Sequence, residues 1–147
     1  MPPLRYELVY RLKQDFPQLL IVLNGGLRTL AAAQAQLDHV DGVMIGRAAY
    51  EEPYALVLAD RLCFGGSAPP RPRRAVIEAV LPYLAALEQS GQPGTRLTRH
   101  MLGLLAGRPG ARRWRTVLSA GSAASASERL RGLLQALPAA VLDAATA

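Results

Sequence analysis

LLIVLNGGLRTLAAAQAQLDHVDGVMIGR, residues 19–47, is the stretch of the chain that decides its fold. Two short apolar runs within it, Leu19–Leu23 and Val43–Ile45, have the composition of buried parallel strands. Between them, Thr29 is placed to cap a helix over Leu30–Leu37, and a further helical pattern follows the second run. The order strand, helix, strand, helix predicts a βαβα unit with parallel strands and a right-handed crossover.

Each predicted strand ends in a glycine turn, Asn24-Gly25-Gly26 after the first and Gly46-Arg47 after the second. The carboxyl ends of parallel strands lie on one side of a sheet, so we expect the two turns to face the same side. Free backbone N–H groups can hold phosphate oxygens there, a helix dipole adds about 0.3–1 kcal/mol, and Arg47 offers a cationic fork. In a (β/α)8 barrel, the loops after strands seven and eight commonly form such a site. The alternative is that the glycines serve only to form turns.

Length and composition bound the class of protein. The 147 residues suffice for one ordinary domain or two small ones, and half of them are hydrophobic while only 5% are aromatic. Cys63 is the single cysteine, which excludes an internal disulfide and a cysteine zinc cluster. No apolar run approaches the roughly 20 residues of a membrane span, and the first residues lack a signal-peptide core. We therefore expect a cytoplasmic protein.

Charge divides the chain into two parts. Residues 1–66 hold six Lys/Arg and seven Asp/Glu, whereas residues 67–147 hold eleven and four. The Gly/Pro-rich segment 64–72 lies at this change in composition, and we expect a domain boundary there, with domains at 1–66 and 67–147. The basic second part suggests a polyanionic partner.

The second part has a helical pattern throughout, typical of a small bundle. Apolar spacing predicts the helices Arg73–Gln89, kinked or split at Pro82, then Arg96–Ala106, Ala111–Leu118 and a last helix capped by Ser125 or Ser127 and ending at Leu137; we expect the residues from Pro138 onward to be frayed. A helix Arg5–Asp15 is predicted ahead of the first strand.

Two arginines of the second part, Arg112 and Arg115, are three residues apart and so share a helix face. Arg99 and His100 lie on the preceding predicted helix, across a tight turn. The cluster is either an ordinary solvated face or a contact surface for RNA phosphates. Neither His100 nor His39 has metal-ligand neighbours, and we predict no metal site.

Three stretches resemble the C-terminal part of bacterial tRNA-dihydrouridine synthases, specifically their A subgroup: PPLRYELVYRLKQDFPQL, LNGGLRTLAAAQAQLDHVDGVMIGRAAYEEPYAL and TRHMLGLLAGRPGARRWRTVLS. The NGG and DGVMIGR pair is similar across the whole family, whereas RHMLGL and PGARRWR are specific to the subgroup. The resemblance implies the last two β/α units of a (β/α)8 TIM barrel followed by an all-α domain that grips tRNA.

The resemblance also implies a function. Such enzymes use FMN, re-reduced by NADPH, to reduce uridines 20 and 20a of the tRNA D-loop to 5,6-dihydrouridine. Carried onto this sequence, the FMN-binding positions are Asn24, Gly25, Gly26, Gly46 and Arg47, and the tRNA-binding positions are Arg112 and Arg115.

The same resemblance implies that the catalytic part is absent. The family's catalytic cysteine, which protonates the uracil ring at C5 as hydride reaches C6, belongs to the earlier half of the barrel, and Cys63 does not match it. We therefore expect no catalytic residue in this chain and no activity from it alone. Two further hypotheses stay open: a non-catalytic tRNA-binding remnant, and a fragment of another phosphate-binding barrel.

Overall fold

The computed structural model describes residues 3–120 and 124–144. Two parallel strands form its sheet, β1 (Val22–Asn24) and β2 (Gly42–Met44), and helices make up most of the remainder. The α-helices of these ranges are α1 (Tyr6–Asp15), α2 (Leu30–Gln34), α3 (Arg47–Glu51), α4 (Ala59–Cys63), α5 (Arg73–Gln89), α6 (Thr95–Thr98), α7 (Ala111–Ser119), α8 (Ala126–Ala136) and α9 (Ala139–Leu142). Two 3-10 helices accompany them, Pro53–Leu58 and Arg99–Leu105. Across this part of the chain, no helix combines the length and apolar character that crossing a bilayer needs.

The sheet confirms the predicted parallel pairing but corrects the strand limits. Val22 pairs with Gly42 and the register continues to the end of each strand. The first strand starts three residues later than predicted; just before it, the Ile21 N–H donates to the Asp41 carboxylate at 2.8 Å and the Ile21 carbonyl accepts the Asp41 N–H at 3.1 Å. Lys13 Nζ, which also pairs with Asp41, donates to the Leu19 carbonyl at 2.8 Å. These side-chain bonds fix the approach to β1 without extending the sheet.

The first core lies between the sheet and α2 and is small. Its buried members are Leu23, Leu27, Ala33 and Val40. The predicted cap is confirmed, since Thr29 Oγ1 accepts the Ala32 N–H at 3.1 Å. The helix ends at Gln34, three residues before the predicted end, and α1 has no buried residue although its position was predicted correctly.

The second core is built by the helices from α5 onward and is much larger. Trp114 at its centre has no exposed surface, and its indole N–H donates to the Met101 carbonyl at 2.8 Å. The helix α5 runs unbroken through Pro82, so the split that the sequence allowed does not occur. The buried members are Tyr54, Ile77, Leu84, Met101, Leu104, Leu105, Trp114, Leu118, Ala126, Leu130, Leu133, Leu137, Val141 and Leu142.

Two helix predictions in this region are wrong in part. The segment predicted as one helix from Arg96 to Ala106 is a short α-helix followed by a 3-10 helix. The residues after Pro138 were predicted to be frayed, but those that the structure describes, up to Ala144, include the helix α9. This helix buries Val141 and Leu142. Proline is well suited to a helix start because it lacks an N–H that the first turn could not use.

The cap of α8 is the predicted Ser125, within a full capping box. Ser125 Oγ accepts the Glu128 N–H at 3.1 Å, and the Glu128 carboxylate accepts the Ser125 N–H at 2.8 Å. Glu88 on α5 adds a third acceptor, at 2.6 Å from the Ala126 amide. Helix α8 is therefore held at its start by its own box and by a neighbouring helix.

The two parts of the molecule meet at the 3-10 helix Pro53–Leu58. Tyr54 is buried in the second core, and the Arg73 guanidinium lies 3.6 Å from its ring centre. The Tyr54 hydroxyl donates to the Arg71 carbonyl at 2.8 Å. On the other side of this contact, a Cβ placed on Gly103 would lie 1.9 Å from the Glu51 carbonyl oxygen, so only glycine fits there.

Candidate phosphate pocket and basic helical face

The two glycine turns meet in one cavity. Its volume is about 300 Å³, and it opens at the carboxyl ends of β1 and β2. The residues that line it are Asn24, Gly25, Gly26, Leu27, Arg28, Met44, Gly46, Arg47 and Ala48. All five residues predicted to form a phosphate site are in this set. The structure thus brings the two turns together, as the parallel register requires.

The first turn needs glycine for both conformation and space. Gly25 and Gly26 have φ of +127° and +67°, values that L side chains rarely adopt. A Cβ on Gly26 would lie 2.6 Å from a Leu4 methyl and 2.9 Å from the Tyr6 hydroxyl oxygen. The same hydroxyl donates to the Gly25 carbonyl at 2.5 Å and so turns that carbonyl toward α1. The Gly25 carbonyl is thereby held by α1, while the turn itself lines the cavity.

The second turn offers backbone donors without help from a long helix. Gly46 precedes α3, which has five residues, so we ascribe any anion affinity to N–H groups and arginine side chains instead of to a helix dipole. In the described ranges, the amides of Gly26 and Gly46 donate no hydrogen bond. Two N–H donors at the wall of one cavity are suited to phosphate oxygens.

Two arginines flank the cavity, of which the sequence analysis identified one. Arg47 is exposed at the start of α3. Arg28 also lines the cavity, and its Nη2 lies 2.9 Å from a Glu51 carboxylate oxygen, with both side chains exposed. Its position two residues after the Gly25-Gly26 turn was the available signal. The site therefore has two guanidinium groups, one of them partly neutralised.

Cys63 lies elsewhere. It is half-buried at the end of α4 and lines a separate apolar cavity of about 730 Å³ with residues such as Leu37, Val43 and Phe64. Cys63 does not line the glycine pocket.

The predicted basic face is exposed on α7. Arg112 and Arg115 are solvent-exposed, whereas Trp114 and Leu118 of the same helix are buried. Among the described side chains, no acidic group pairs with Arg112, Arg113 or Arg115. Three uncompensated guanidinium groups on one helix are a surface that a polyanion can neutralise.

The histidines have aromatic contacts. His39 stacks on Tyr10 with 4.3 Å between ring centres, a contact that the sequence analysis did not anticipate. His100 accepts a hydrogen bond from Arg99 Nε at 3.1 Å and meets Tyr50 edge-on. Residues 3–120 and 124–144 contain no cluster of three or more metal-ligating side chains.

Comparison with known proteins identifies the family. The sequence profile described as "Dihydrouridine synthase (Dus)" matches residues 1–145. This chain belongs to the dihydrouridine synthase family. The resemblance seen in the glycine turns and in the α7 segment is thereby confirmed.

Individual relatives of this chain are members of the same family. A tRNA-dihydrouridine(20/20a) synthase of Shewanella oneidensis is 50% identical over 107 residues, which are 73% of this chain and 32% of that protein. The corresponding enzyme of Pseudomonas syringae pv. tomato is 52% identical over 104 residues, 71% of this chain and 31% of the relative. That of Synechocystis sp. is 46% identical over 108 residues, with shares of 74% and 32%. The aligned part of this chain thus corresponds to about a third of the length of these relatives.

Proposed function

We propose that this chain provides the cofactor-phosphate pocket and the tRNA-binding helices of a flavin-dependent tRNA-dihydrouridine synthase. The single observation that carries the proposal is the meeting of the two glycine turns in one cavity lined by Arg28 and Arg47. The similarity to tRNA-dihydrouridine(20/20a) synthases supports the reaction that we propose for the complete enzyme: reduction of uridines 20 and 20a of tRNA to dihydrouridine. We place this activity in the cytoplasm with its tRNA substrate.

The residues present fit the phosphate end of FMN. The cavity of about 300 Å³ is at the small end of ligand sites, and Gly26, Gly46 and two arginine side chains line its wall. Asn24, Gly25 and Gly26 on one side, with Gly46 and Arg47 on the other, would hold the phosphate. When bound, FMN supplies hydride to the uracil ring and is re-reduced by NADPH. The role of the chain's own residues is to bind and orient the phosphate end of the cofactor.

The basic face would hold the substrate. Arg112 and Arg115 project from α7 without described acidic partners, so each is available to neutralise an RNA phosphate. Such contacts fix the position and orientation of the RNA without reading its sequence. We propose that they hold tRNA against the enzyme while the cofactor pocket faces the target uridine.

Catalysis requires further β/α units. Two parallel strands do not close a barrel, and β1 and β2 each have one edge without a partner in the described chain. We propose that strands β1 and β2 occupy positions seven and eight of a (β/α)8 barrel completed by the equivalents of the other two thirds of the relatives. The acid that protonates uracil would come from that part, since Cys63 lines a different cavity.

The proposal is tested by comparing two flavins on the intact 147-residue chain. FMN and riboflavin differ by the phosphate alone, so we expect FMN to bind more tightly in a fluorescence-quenching titration. Gly26→Ala should remove this difference because the added methyl meets Leu4 and Tyr6 at a φ of +67°. Gly132→Ala is the matched control, since nothing lies within 4 Å of that position. Equal affinity for both flavins would contradict the phosphate pocket.

A second titration tests the RNA contact. Arg112→Ala should weaken tRNA binding and lower the slope of log affinity against log salt by about 0.7 to 0.9. Arg5→Ala, which removes an exposed arginine already 3.2 Å from Glu7, should leave the slope unchanged. A chain that binds tRNA with this slope yet does not prefer FMN would support the alternative of a tRNA-binding remnant.

A further inference from the structure

The surface between the cofactor pocket and the basic helices has its own composition. On α3, Arg47 lines the pocket and Tyr50 follows it by three residues, so the two side chains lie on the same side of the helix. The Tyr50 ring is 58% exposed and meets the His100 ring edge-on at 5.6 Å. Helix α3 thus carries both a pocket residue, Arg47, and Tyr50, whose ring contacts His100 of the helical part.

This contact is fixed from both sides. Gly103, three residues after His100, lies so close to the Glu51 carbonyl that no side chain fits between them, which docks the 3-10 helix Arg99–Leu105 against α3. Arg99 Nε donates to His100 Nε2 at 3.1 Å and orients the imidazole. Tyr50 is consequently presented to solvent in a defined position, with its ring against the His100 imidazole.

An exposed aromatic ring next to an arginine and a histidine has a specific use in RNA-binding proteins. Unpaired bases stack on such rings, while cationic groups beside them contact the backbone. Tyr83 on α5 provides a comparison within the same chain: it is 74% exposed, but the described residues give it no ring contact. Both tyrosines are exposed, and the contact with the His100 ring distinguishes Tyr50 from Tyr83.

We propose that Tyr50 and His100 form a stacking platform for an unpaired base of the bound RNA, between the cofactor pocket and the basic face of α7. The inference rests on the proposed tRNA-binding function and adds a base contact to the phosphate contacts of Arg112 and Arg115. Stacking accepts any base, so the platform positions a nucleotide next to the target and does not select a sequence.

The test measures the affinity of the intact chain for two RNAs, an unmodified tRNA transcript and a fully paired duplex of the same length. Tyr50→Ala should weaken tRNA binding about fivefold or more, and duplex binding by less than about twofold, because only unpaired bases can stack. The salt slope should not change, since no phosphate contact is lost. Tyr50→Phe, which retains the ring, should bind like the original chain.

Tyr83→Ala is the matched control and should bind both RNAs as the original chain does. The platform is refuted if Tyr50→Ala matches Tyr83→Ala on tRNA, or if it weakens tRNA and duplex equally. A circular-dichroism melt of Tyr50→Phe and Tyr50→Ala shows whether both variants fold. If the unaltered chain fails to bind tRNA, the proposed function falls and the platform with it; if only the Tyr50 effect is missing, the function stands without the platform.

Discussion

The two parts of this molecule differ in how far each completes its own core. The helical part encloses a large set of buried side chains around Trp114, whereas the part with the sheet buries Leu23, Leu27, Ala33 and Val40. Around that small core, many large apolar side chains remain exposed: Leu4, Leu8, Leu12, Phe16, Leu19, Leu20, Val22 and Met44. The helical core is therefore closed, with Tyr54 of the preceding 3-10 helix as one of its members, whereas the sheet part leaves apolar surface open to further contacts.

The physical reason lies in the secondary structure. A helix satisfies its own backbone and needs only one covered face, so a few helices close a core by packing on one another. A parallel sheet needs cover on both faces and partners at its edges, which two strands and α2 do not provide. Leu8 and Leu12 on α1, with Phe16 directly after the helix, are spaced by four residues and form an apolar stripe of the kind that packs against a neighbour.

The largest expected change in the free energy of unfolding comes from a substitution at the centre of the helical core. Trp114→Ala removes a fully buried ring and its hydrogen bond to Met101, so it should lower the free energy of unfolding by about 3–5 kcal/mol. Leu20→Ala, at a position that is 79% exposed, should change it by no more than about 0.5 kcal/mol. Denaturant titrations followed by circular dichroism measure both. A similar loss for both variants would contradict the contrast between the two parts.

A smaller effect is expected at the junction of the parts. Gly103→Ala places a methyl group against the Glu51 carbonyl and should destabilise the chain by about 1–3 kcal/mol. Gly132→Ala, on an exposed and open position of α8, should stabilise it by about 0.5–1 kcal/mol because alanine favours the helix. If the two variants melt alike, the close approach of α3 and the 3-10 helix Arg99–Leu105 is wrong.

The smallest expected change in stability is at Asp41 of the sheet part, which contacts Ile21 and Lys13, and this change depends on pH. Two hydrogen bonds hold the pKa of Asp41 below its ordinary value: the bond from the Ile21 N–H, which has the larger effect, and the bond from Lys13. A lowered pKa means that the stabilisation is complete above the ordinary carboxyl pKa and is lost as the pH falls through the folded-state value. Asp41→Asn should therefore melt at a lower temperature than the original chain at pH 7, and this gap should narrow below about pH 4. A gap that is constant with pH would show that the carboxylate charge contributes nothing.

The sequence was sufficient to predict features set by local chemistry. Thr29 and Ser125 cap helices as expected, and the two glycine turns line one cavity because parallel strands place their carboxyl ends together. The predicted helix Ala111–Leu118 is present as α7, with Trp114 and Leu118 buried one turn apart. Each of these depends on residues that are neighbours in sequence or on a register that the βαβ order imposes.

Features that depend on contacts between distant residues could not be predicted from the sequence. The first strand begins at Val22, directly after Ile21, whose amide bonds to the Asp41 side chain twenty residues away. The segment after Arg96 changes to a 3-10 helix where Gly103 meets Glu51, a contact between the two parts of the chain. Arg28 was missed as a pocket residue because its side-chain direction depends on how the turn folds.

The burial of Tyr54 in the helical core has a consequence for how this family can be recombined. The Gly/Pro-rich segment 64–72 looks like a natural point at which to exchange the helical part between relatives. A chimaera joined there would take its helices from one parent and the side chain at position 54, with the ring that lies against Arg73, from the other. A crossover placed before Pro53 keeps the Tyr54 ring and the Arg73 guanidinium that lies over it in one inherited block.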